Sequence, residues 1–235
     1  MSKEKDLERI LEKARIEAQK DALMDFVVKN GKAITRISLV ILTIIIISVA
    51  TSIIKNKRQA TYSKILQEAY IAQDVNDLKK SKELLKKILD SKRAPNSIST
   101  LASFRYADFL LQDSKNQEAF DIFTKIAECN SCEEFSRDLA KLLAIKTWIM
   151  DGEIQKQENV AQKMQSYALK AKHLKDHINE QMAIYQLMQG NLKRALDIYK
   201  KITNSAEASD AIKVRAQTHI SDLISKIDLK DGDKK

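Results

Sequence analysis

Residues 37–54 read ISLVILTIIIISVATSII, and this run of eighteen uncharged residues decides how the chain is organised. At a rise of about 1.5 Å per residue, a helix of this length spans about 27 Å, close to the bilayer's hydrocarbon thickness of about 30 Å. Its polar residues are serines and threonines, whose hydroxyls can bond to the carbonyl four residues earlier and so tolerate lipid. A soluble core helix seldom lacks charges over such a length. The run therefore predicts a membrane anchor at residues 37–54, surrounded by lipid.

The two flanks of the anchor carry similar positive charge, so the positive-inside rule does not decide its orientation. The basic residues are Lys29, Lys32 and Arg36 before the run and Lys55, Lys57, Arg58 and Lys64 after it. A cleavable signal is disfavoured because 36 residues of mixed charge precede the run, which continues past its small-residue stretch at 48–50. The difference in length between the two segments favours a cytoplasmic N-terminal helical segment at 1–36. The longer segment, 55–235, is then the functional domain on the opposite side of the membrane.

The composition of the chain points to helices. Among 235 residues there are four glycines and one proline, with 31% charged and 44% hydrophobic residues. So few turn formers argue against a β-sandwich or barrel, and the apolar content argues against disorder. The net charge of +9 comes from 32 lysines against 9 arginines. Nucleic-acid recognition favours arginine, so no nucleic-acid partner is predicted.

After the anchor, apolar residues recur in paired helical patterns. The predicted helices are 59–73 with 76–91, 97–112 with 115–128, 134–150 with 153–171, 175–189 with 191–204, and a last one at 207–226. Four columns recur every 38 residues: Ala69, Ala107, Ile145 and Ala183; Ser81, Ala119, Gln157 and Ala195; Leu85, Phe123, Ala161 and Tyr199; and Ile88, Ile126, Met164 and Ile202. This spacing predicts an all-α fold: a tetratricopeptide-like α-solenoid of about four hairpins plus a capping helix, with pair three degenerate.

A solenoid of this kind has a concave face lined by the first helix of each hairpin, which suits extended or helical peptide segments. Two columns are predicted to face that groove: Tyr70, Asp108, Lys146 and Ile184, and three residues further on Gln73, Leu111, Ile149 and Leu187. The alternative is that several of these side chains pack between hairpins.

The chain resembles the YfgM-type ancillary subunits of the bacterial Sec translocon. The similarity covers about residues 20–205 and depends on one anchor followed by helix hairpins, together with short matches. These are Asn30-Gly31-Lys32 within 26–32, Tyr62 and Ala69, the stretch ASFRYA at 102–107, and RDLA at 137–140. The resemblance implies a cytoplasmic N-terminus and a periplasmic repeat domain in the bacterial inner membrane. It also implies association with the SecYEG channel and a periplasmic chaperone-isomerase, and handling of exported clients.

Cys129 and Cys132 form a Cys-x-x-Cys motif near a helix end. In an oxidising compartment this spacing is typical of a local disulfide, and two inert thiols or a redox-active pair are the alternatives. Thioredoxin-type chemistry requires the motif in a βαβ unit, and no strand is predicted. The motif is also half a zinc site, but it has no second cysteine pair.

No other pattern predicts chemistry. His173 and His177 are four residues apart, but the glutamate that a zinc-protease motif needs after its first histidine is absent. There is no glycine-rich phosphate loop. No catalytic residue, metal, cofactor or small-molecule substrate is therefore predicted.

The sequence thus predicts a membrane-anchored adaptor or chaperone of the Sec translocon that binds partner proteins and exported chains without catalysis. One alternative is a scaffold of another envelope complex, in cell division or outer-membrane assembly. A second is a Cys-x-x-Cys thiol oxidoreductase.

Overall fold

In the computed structural model of the chain, the backbone is described for residues 2–232, and every regular element in that range is a helix. Side chains are described for residues 12–227 except 22–23, 25–27, 31, 33–34 and 37–38. The helices are α1 (Ser2–Asp74), α2 (Leu78–Leu89), α3 (Asn96–Gln112), α4 (Asn116–Ala127), α5 (Glu134–Met150), α6 (Gly152–Gln155), α7 (Val160–Lys170), α8 (Lys175–Met188), α9 (Leu192–Thr203) and α10 (Asp210–Gly232). The all-α prediction is confirmed for these residues.

The chain divides into two compact units, Met1–Lys57 and Arg58–Lys235. The first contains the predicted N-terminal segment and the apolar run, both within α1. In the N-terminal segment, apolar residues recur at helical spacing at Leu7, Ile10, Leu11, Ala14 and Ala18, and the side chains of the first three lie outside the described residues. The side chains of residues 39–54 are all exposed.

In the second unit, helices that follow one another in sequence pack together. Contacts join α2 to α3, α3 to α4, α4 to α5, α8 to α9 and α9 to α10, and α5 also packs against α8. Local signals set the ends of these helices. Asp77 precedes α2 and its carboxylate accepts a bond from the backbone N–H of Lys80 at 3.1 Å, which satisfies a free donor of the first turn. Pro95 precedes α3, since proline cannot donate within a helix.

The 38-residue spacing recurs as a pattern of burial. Ala69, Ala107, Ile145 and Ala183, on the first helix of successive pairs, are all fully buried at 0% exposure. On the second helices, pairs one, two and four bury the predicted positions: Ser81, Leu85 and Ile88; Ala119, Phe123 and Ile126; and Ala195, Tyr199 and Ile202. Small residues at the crossing points let two helices approach closely, and the large ones fill the space beside them.

The turns inside the pairs repeat with the same spacing. Ser114 follows Asn76 by 38 residues and Gly190 follows Ser114 by 76, and each of the three has a positive φ of 60° to 75°. In each turn the next residue's N–H bonds to a carbonyl five positions earlier: Asp77 to Ala72, Lys115 to Leu110, and Asn191 to Gln186. This left-handed termination satisfies carbonyl groups at the end of the first helix. Pairs one, two and four therefore share one turn geometry.

The third pair departs from the prediction. The helix predicted at 153–171 is two helices, α6 and α7, with Asn159 at φ 65° between them. Gln157 is exposed and Ala161 half-buried, so these two column assignments are wrong. The buried positions are Val160, Met164 and Tyr167, which keep the 4–3 spacing three residues later. Asp151 explains the shift, because its Oδ1 accepts bonds from the N–H groups of Glu153 and Ile154 and so starts the short α6 turn.

One further column, which we call the bridging column, consists of Tyr62, Thr100, Asp138 and Asp176. Each lies seven residues before a fully buried column residue and contacts the loop that leads to the next pair. Tyr62 Oη bonds Ser91 Oγ, Thr100 Oγ1 lies 3.5 Å from Cys132 Sγ, and Asp176 Oδ2 accepts from Ser205 Oγ at 2.9 Å. Asp138 Oδ2 accepts from the backbone N–H groups of Lys172 and His173 at 2.7 and 2.8 Å. The bridging column thus connects neighbouring pairs through polar bonds.

Candidate functional site

The apolar part of α1 is a candidate membrane-spanning segment. Within the described residues, one helical stretch, Leu39–Asp74, is long and apolar enough to cross a membrane, with a window of mean hydropathy 2.2. None of that window is buried in the protein. Thr43 Oγ1 donates to the Leu39 carbonyl at 2.8 Å, and Thr51 Oγ1 donates to the Ser48 carbonyl at 2.9 Å. These hydroxyl groups are therefore satisfied within the helix, as lipid surroundings require.

The first predicted groove column contains Tyr70, Asp108, Lys146 and Ile184, on α1, α3, α5 and α8 respectively. Lys146 is exposed and the other three are half-buried. The structure brings the first two together through Arg105, whose guanidinium lies 5.5 Å from the Tyr70 ring centroid and 3.7 Å from Asp108 Oδ2.

The second predicted column is more enclosed. Gln73, Leu111 and Leu187 are half-buried, and Ile149 is a buried member of the core around Trp148. Gln73 Oε1 is buried without a hydrogen-bond partner. The side chains with surface left for a partner are therefore those of the first column and three of the second.

Two exposed methionines were missed by the sequence analysis. Met150 ends α5 and is 81% exposed, and Met188 ends α8 and is 59% exposed. They lie 38 residues apart on helices that pack together. Methionine is flexible and polarizable, which suits it to contacts with varied partners. The spacing itself could have identified them, because both fall one residue after the second groove column.

Cys129 and Cys132 form a disulfide in the loop between α4 and α5. Both residues are half-buried. Cys129 Sγ lies 3.6 Å from Ser131 Oγ, and Ser131 Oγ accepts a bond from Asn96 Nδ2 at 2.9 Å. The bridge therefore closes a short loop that is held against the start of α3.

Of the two neighbouring histidines, His173 is exposed and His177 is half-buried. His173 Nε2 lies 3.4 Å from Glu134 Oε2, and its ring centroid is 6.2 Å from that of Phe135. Over the part of the chain with described side chains, no group of three or more histidine, cysteine or acidic residues is placed to hold a metal ion.

A cleft of about 700 Å³, which we call the charged cleft, lies between α5, α7 and the end of α4. It is lined by Ala127, Glu128, Asn130, Glu134, Arg137, Lys141, Asn159, Gln162, Lys163, Ser166, Tyr167 and Lys170. Sequence analysis did not find it, because its residues come from separate elements and follow no known motif.

An ion pair and a hydrogen bond order one wall of the charged cleft. Lys163 Nζ lies 2.8 Å from Glu128 Oε1, and Tyr167 Oη donates to the same oxygen at 3.0 Å. The hydrogen bond from Lys163, reinforced by Tyr167, lowers the pKa of Glu128 although partial burial opposes it. Burial and the bond to Glu128 raise the pKa of Tyr167. Glu128 is therefore an anion and Tyr167 a neutral donor at neutral pH.

The opposite wall is built on α5. Arg137 and Lys141 line it, and Lys141 Nζ lies 2.7 Å from Asp138 Oδ1. Asp138 is buried, which raises its pKa, but the bonds from Lys141 and from the N–H groups of Lys172 and His173 outweigh burial and lower it. The nearest acid to Arg137 is Glu134, at 3.9 Å, and Arg137 Nε is buried without a hydrogen-bond partner.

Comparison of the chain with protein-family models, with curated proteins and with solved structures finds no match.

Proposed function

We propose that this chain is a single-pass membrane protein whose second unit is a tetratricopeptide-like α-solenoid that binds other proteins without catalysis. The observation that carries the proposal is the recurrence of buried columns at a spacing of 38 residues, with the same left-handed turn in pairs one, two and four, in a chain that also has an exposed apolar helix. Stacked hairpins offer an extended surface in place of a single enclosed site, and such surfaces bind peptide segments. Attachment to an anchor raises the effective concentration toward membrane partners, so weak contacts suffice.

The proposed partner is the protein-export channel SecYEG with a periplasmic chaperone-isomerase and exported clients, as the resemblance to YfgM-type subunits implies. The proposed topology has the N-terminus in the cytoplasm and residues 55–235 in the periplasm of a bacterial inner membrane. The disulfide between Cys129 and Cys132 supports placing residues 55–235 in the periplasm, because disulfides persist in oxidising compartments.

Crosslinking in native membranes tests the partner. A photoreactive amino acid replaces Lys146, the exposed member of the first groove column, and in a matched control it replaces Lys200, which is exposed on α9. We expect channel subunits or exported chains to be captured from position 146 and not from position 200. Capture of cell-division or outer-membrane assembly proteins would instead support the envelope-scaffold alternative. Equal capture from both positions would contradict the groove.

Protease treatment of intact spheroplasts tests the topology. We expect residues 58–235 to be digested from outside, leaving a fragment that retains the N-terminal segment. Protection of the second unit until lysis would place it in the cytoplasm and would contradict the export proposal.

A further inference from the structure

The charged cleft occupies a position that the repeat generates twice. A smaller cleft of about 390 Å³ lies one pair earlier, against α3 and α4. Its lining residues from the end of α2 and from α3 correspond, 38 residues on, to residues of the charged cleft from the end of α4 and from α5: Leu89, Asp90, Asn96, Ser99 and Ser103 correspond to Ala127, Glu128, Glu134, Arg137 and Lys141. The two clefts therefore share one architecture and differ in chemistry.

The difference is the introduction of charge. Asn96, Ser99 and Ser103 line the smaller cleft. The corresponding residues of the charged cleft are Glu134, Arg137 and Lys141. On the second helix the register is three residues later, as its buried positions show, so Ile122 corresponds to Lys163 and Cys129 to Lys170. Packing alone does not require the cations at positions 137 and 141, because the smaller cleft folds in the same chain with serine at both corresponding positions and with Asp90 and Lys125 as its charged residues.

Positive charge predominates in the charged cleft. It is lined by four cations, Arg137, Lys141, Lys163 and Lys170, and by two acids, Glu128 and Glu134. Lys163 and Lys141 are paired with Glu128 and Asp138, whereas Arg137 is 3.9 Å from its nearest acid and has a buried Nε–H without an acceptor. A buried donor without a partner is uncommon and destabilising. Within the described residues, Nε of Arg137 has no acceptor and Nη2 has only the 3.9 Å contact with Glu134, so the solvent-accessible end of this guanidinium is weakly paired.

We propose that the charged cleft binds acidic polypeptide segments, with Arg137 as the principal contact to a ligand carboxylate and Lys170 as a second cation. A planar guanidinium bonds a carboxylate through two parallel N–H donors, a geometry that lysine cannot reproduce. The cleft is far larger than a single ion needs and falls in the range of about 300–1,000 Å³ of sites that enclose larger ligands. Its amide and hydroxyl groups, from Asn130, Asn159, Gln162 and Ser166, suit a peptide backbone.

This inference depends on the proposed adaptor function, because its ligand is a polypeptide, but it assigns the contact to a surface other than the groove columns. It also names a chemical class of client: segments rich in aspartate or glutamate.

The test uses the full chain in nanodiscs of zwitterionic lipid and two fluorescein-labelled peptides, one with alternating glutamate and alanine and one with glutamine in place of glutamate. Fluorescence anisotropy measures the affinity of each. We expect the acidic peptide to bind at least about 10-fold more tightly, and this preference to weaken as salt screens the charges.

Variants locate the contact. Arg137→Gln is expected to lower affinity for the acidic peptide at least about 10-fold, and Arg137→Lys to lower it less, because the charge remains without the paired donors. Lys170→Gln, at an exposed site, is expected to lower it several-fold without affecting folding. The matched controls are Arg93→Gln and Lys125→Gln, exposed positions outside the charged cleft, and these should retain affinity within about 2-fold.

Three outcomes would overturn the inference: equal affinity for the two peptides, unchanged affinity in folded Arg137→Gln and Lys170→Gln proteins, or Arg137-dependent binding to phosphatidylglycerol vesicles without peptide binding. Circular dichroism confirms folding of each variant. If partners still crosslink from position 146 while the Arg137 and Lys170 variants bind peptide normally, only the charged-cleft inference fails. If no protein is captured at all, the adaptor function itself fails.

Discussion

At the scale of single residues, Asp138 is a fully buried acidic residue. Its side chain is 1% exposed, yet it is satisfied by Lys141 Nζ and by two backbone N–H groups of the loop between α7 and α8. A buried carboxylate is tolerated only when its bonds replace those to water. Its role is therefore to fix the path of the chain from one pair to the next.

Replacing Asp138 with alanine should lower the free energy of unfolding by about 2–4 kcal/mol, because Lys141 and two backbone donors lose their acceptor. Asp138→Asn should cost less, since an amide oxygen in the place of Oδ2 still accepts the two bonds from the backbone N–H groups. Asp197→Ala, at an exposed position, is the matched control and should change stability by less than about 0.5 kcal/mol. Urea denaturation measures all three, and an alanine variant as stable as the control would contradict the role.

The lowered pKa of Asp138 adds a pH dependence of known sign. A folded-state pKa below the unfolded value of about 3.9 stabilises the folded protein above that value, and the contribution is lost as pH falls through the folded pKa. The stability difference between the natural chain and Asp138→Asn should therefore shrink between about pH 5 and about pH 2. A difference that grows on acidification would show that burial, and not the bonds, controls this group.

The disulfide is expected to contribute modestly to stability. It joins residues three positions apart, and such a short loop removes little entropy from the unfolded chain, about 2 kcal/mol or less. The double variant Cys129→Ser, Cys132→Ser should therefore fold, melt slightly earlier and still crosslink its partners. Loss of a thiol–disulfide exchange activity in cells without loss of stability would instead support the oxidoreductase alternative.

At the scale of elements, the turn inside each pair decides where the second helix starts. Gly190 has φ +75°, and no atom lies within 4 Å of the place where a Cβ would stand. Gly152 occupies the same position in pair three, also with open space beside it, but without a positive φ. The two glycines are thus a matched pair that differs in backbone conformation.

Gly190→Ala should lower the free energy of unfolding by about 1 kcal/mol, because a Cβ disfavours the left-handed conformation. Gly152→Ala should be neutral or should stabilise by about 0.4–1 kcal/mol, since alanine reduces the entropy of the unfolded chain and the new Cβ meets no neighbouring atom. Thermal melts of the two variants provide the test. Equal effects would mean that the turn conformation is not the determinant.

The element bounds show what sequence patterns can and cannot predict. The helices predicted at 97–112, 115–128 and 134–150 match α3, α4 and α5 within one residue at each end, because apolar spacing and turn residues mark both ends. The single helix predicted at 153–171 was wrong. Its charged residues are typical of a helix, but Asp151, Gly152 and Asn159 divide the stretch into α6 and α7. The groove columns followed from the period, whereas the charged cleft did not, since it combines a loop with two helices that are distant in sequence.

At the scale of the whole molecule, the second unit has three separate apolar clusters along the chain. One joins the end of α1 to α2 and α3, one centres on α4, α5 and α7, and one joins α8, α9 and α10. This distribution is typical of stacked repeats, in which each unit depends on its neighbours for burial. The apolar run of α1 contributes no described residue to any of these clusters.

If residues 37–54 span a membrane, charged side chains near the centre of this run should prevent its insertion. The double variant Ile45→Lys, Ile46→Lys should prevent stable insertion, because each lysine near the centre of a span costs about 2.5–3.5 kcal/mol. Alkaline carbonate extraction should then release the protein from membranes. The control Ile71→Lys, Val75→Lys changes two exposed positions outside the run by the same charge and should remain in the pellet. Retention of both variants would contradict a spanning helix.

The bridging column also bears on synthesis. Each of its residues bonds to a partner 29 to 35 positions downstream. When the chain leaves a ribosome or a narrow channel N-terminus first, each pair of helices therefore emerges before the loop that bonds to its bridging-column residue. Each of these contacts can therefore form only after the next 29 to 35 residues have emerged, and the last of them requires Ser205 to reach Asp176.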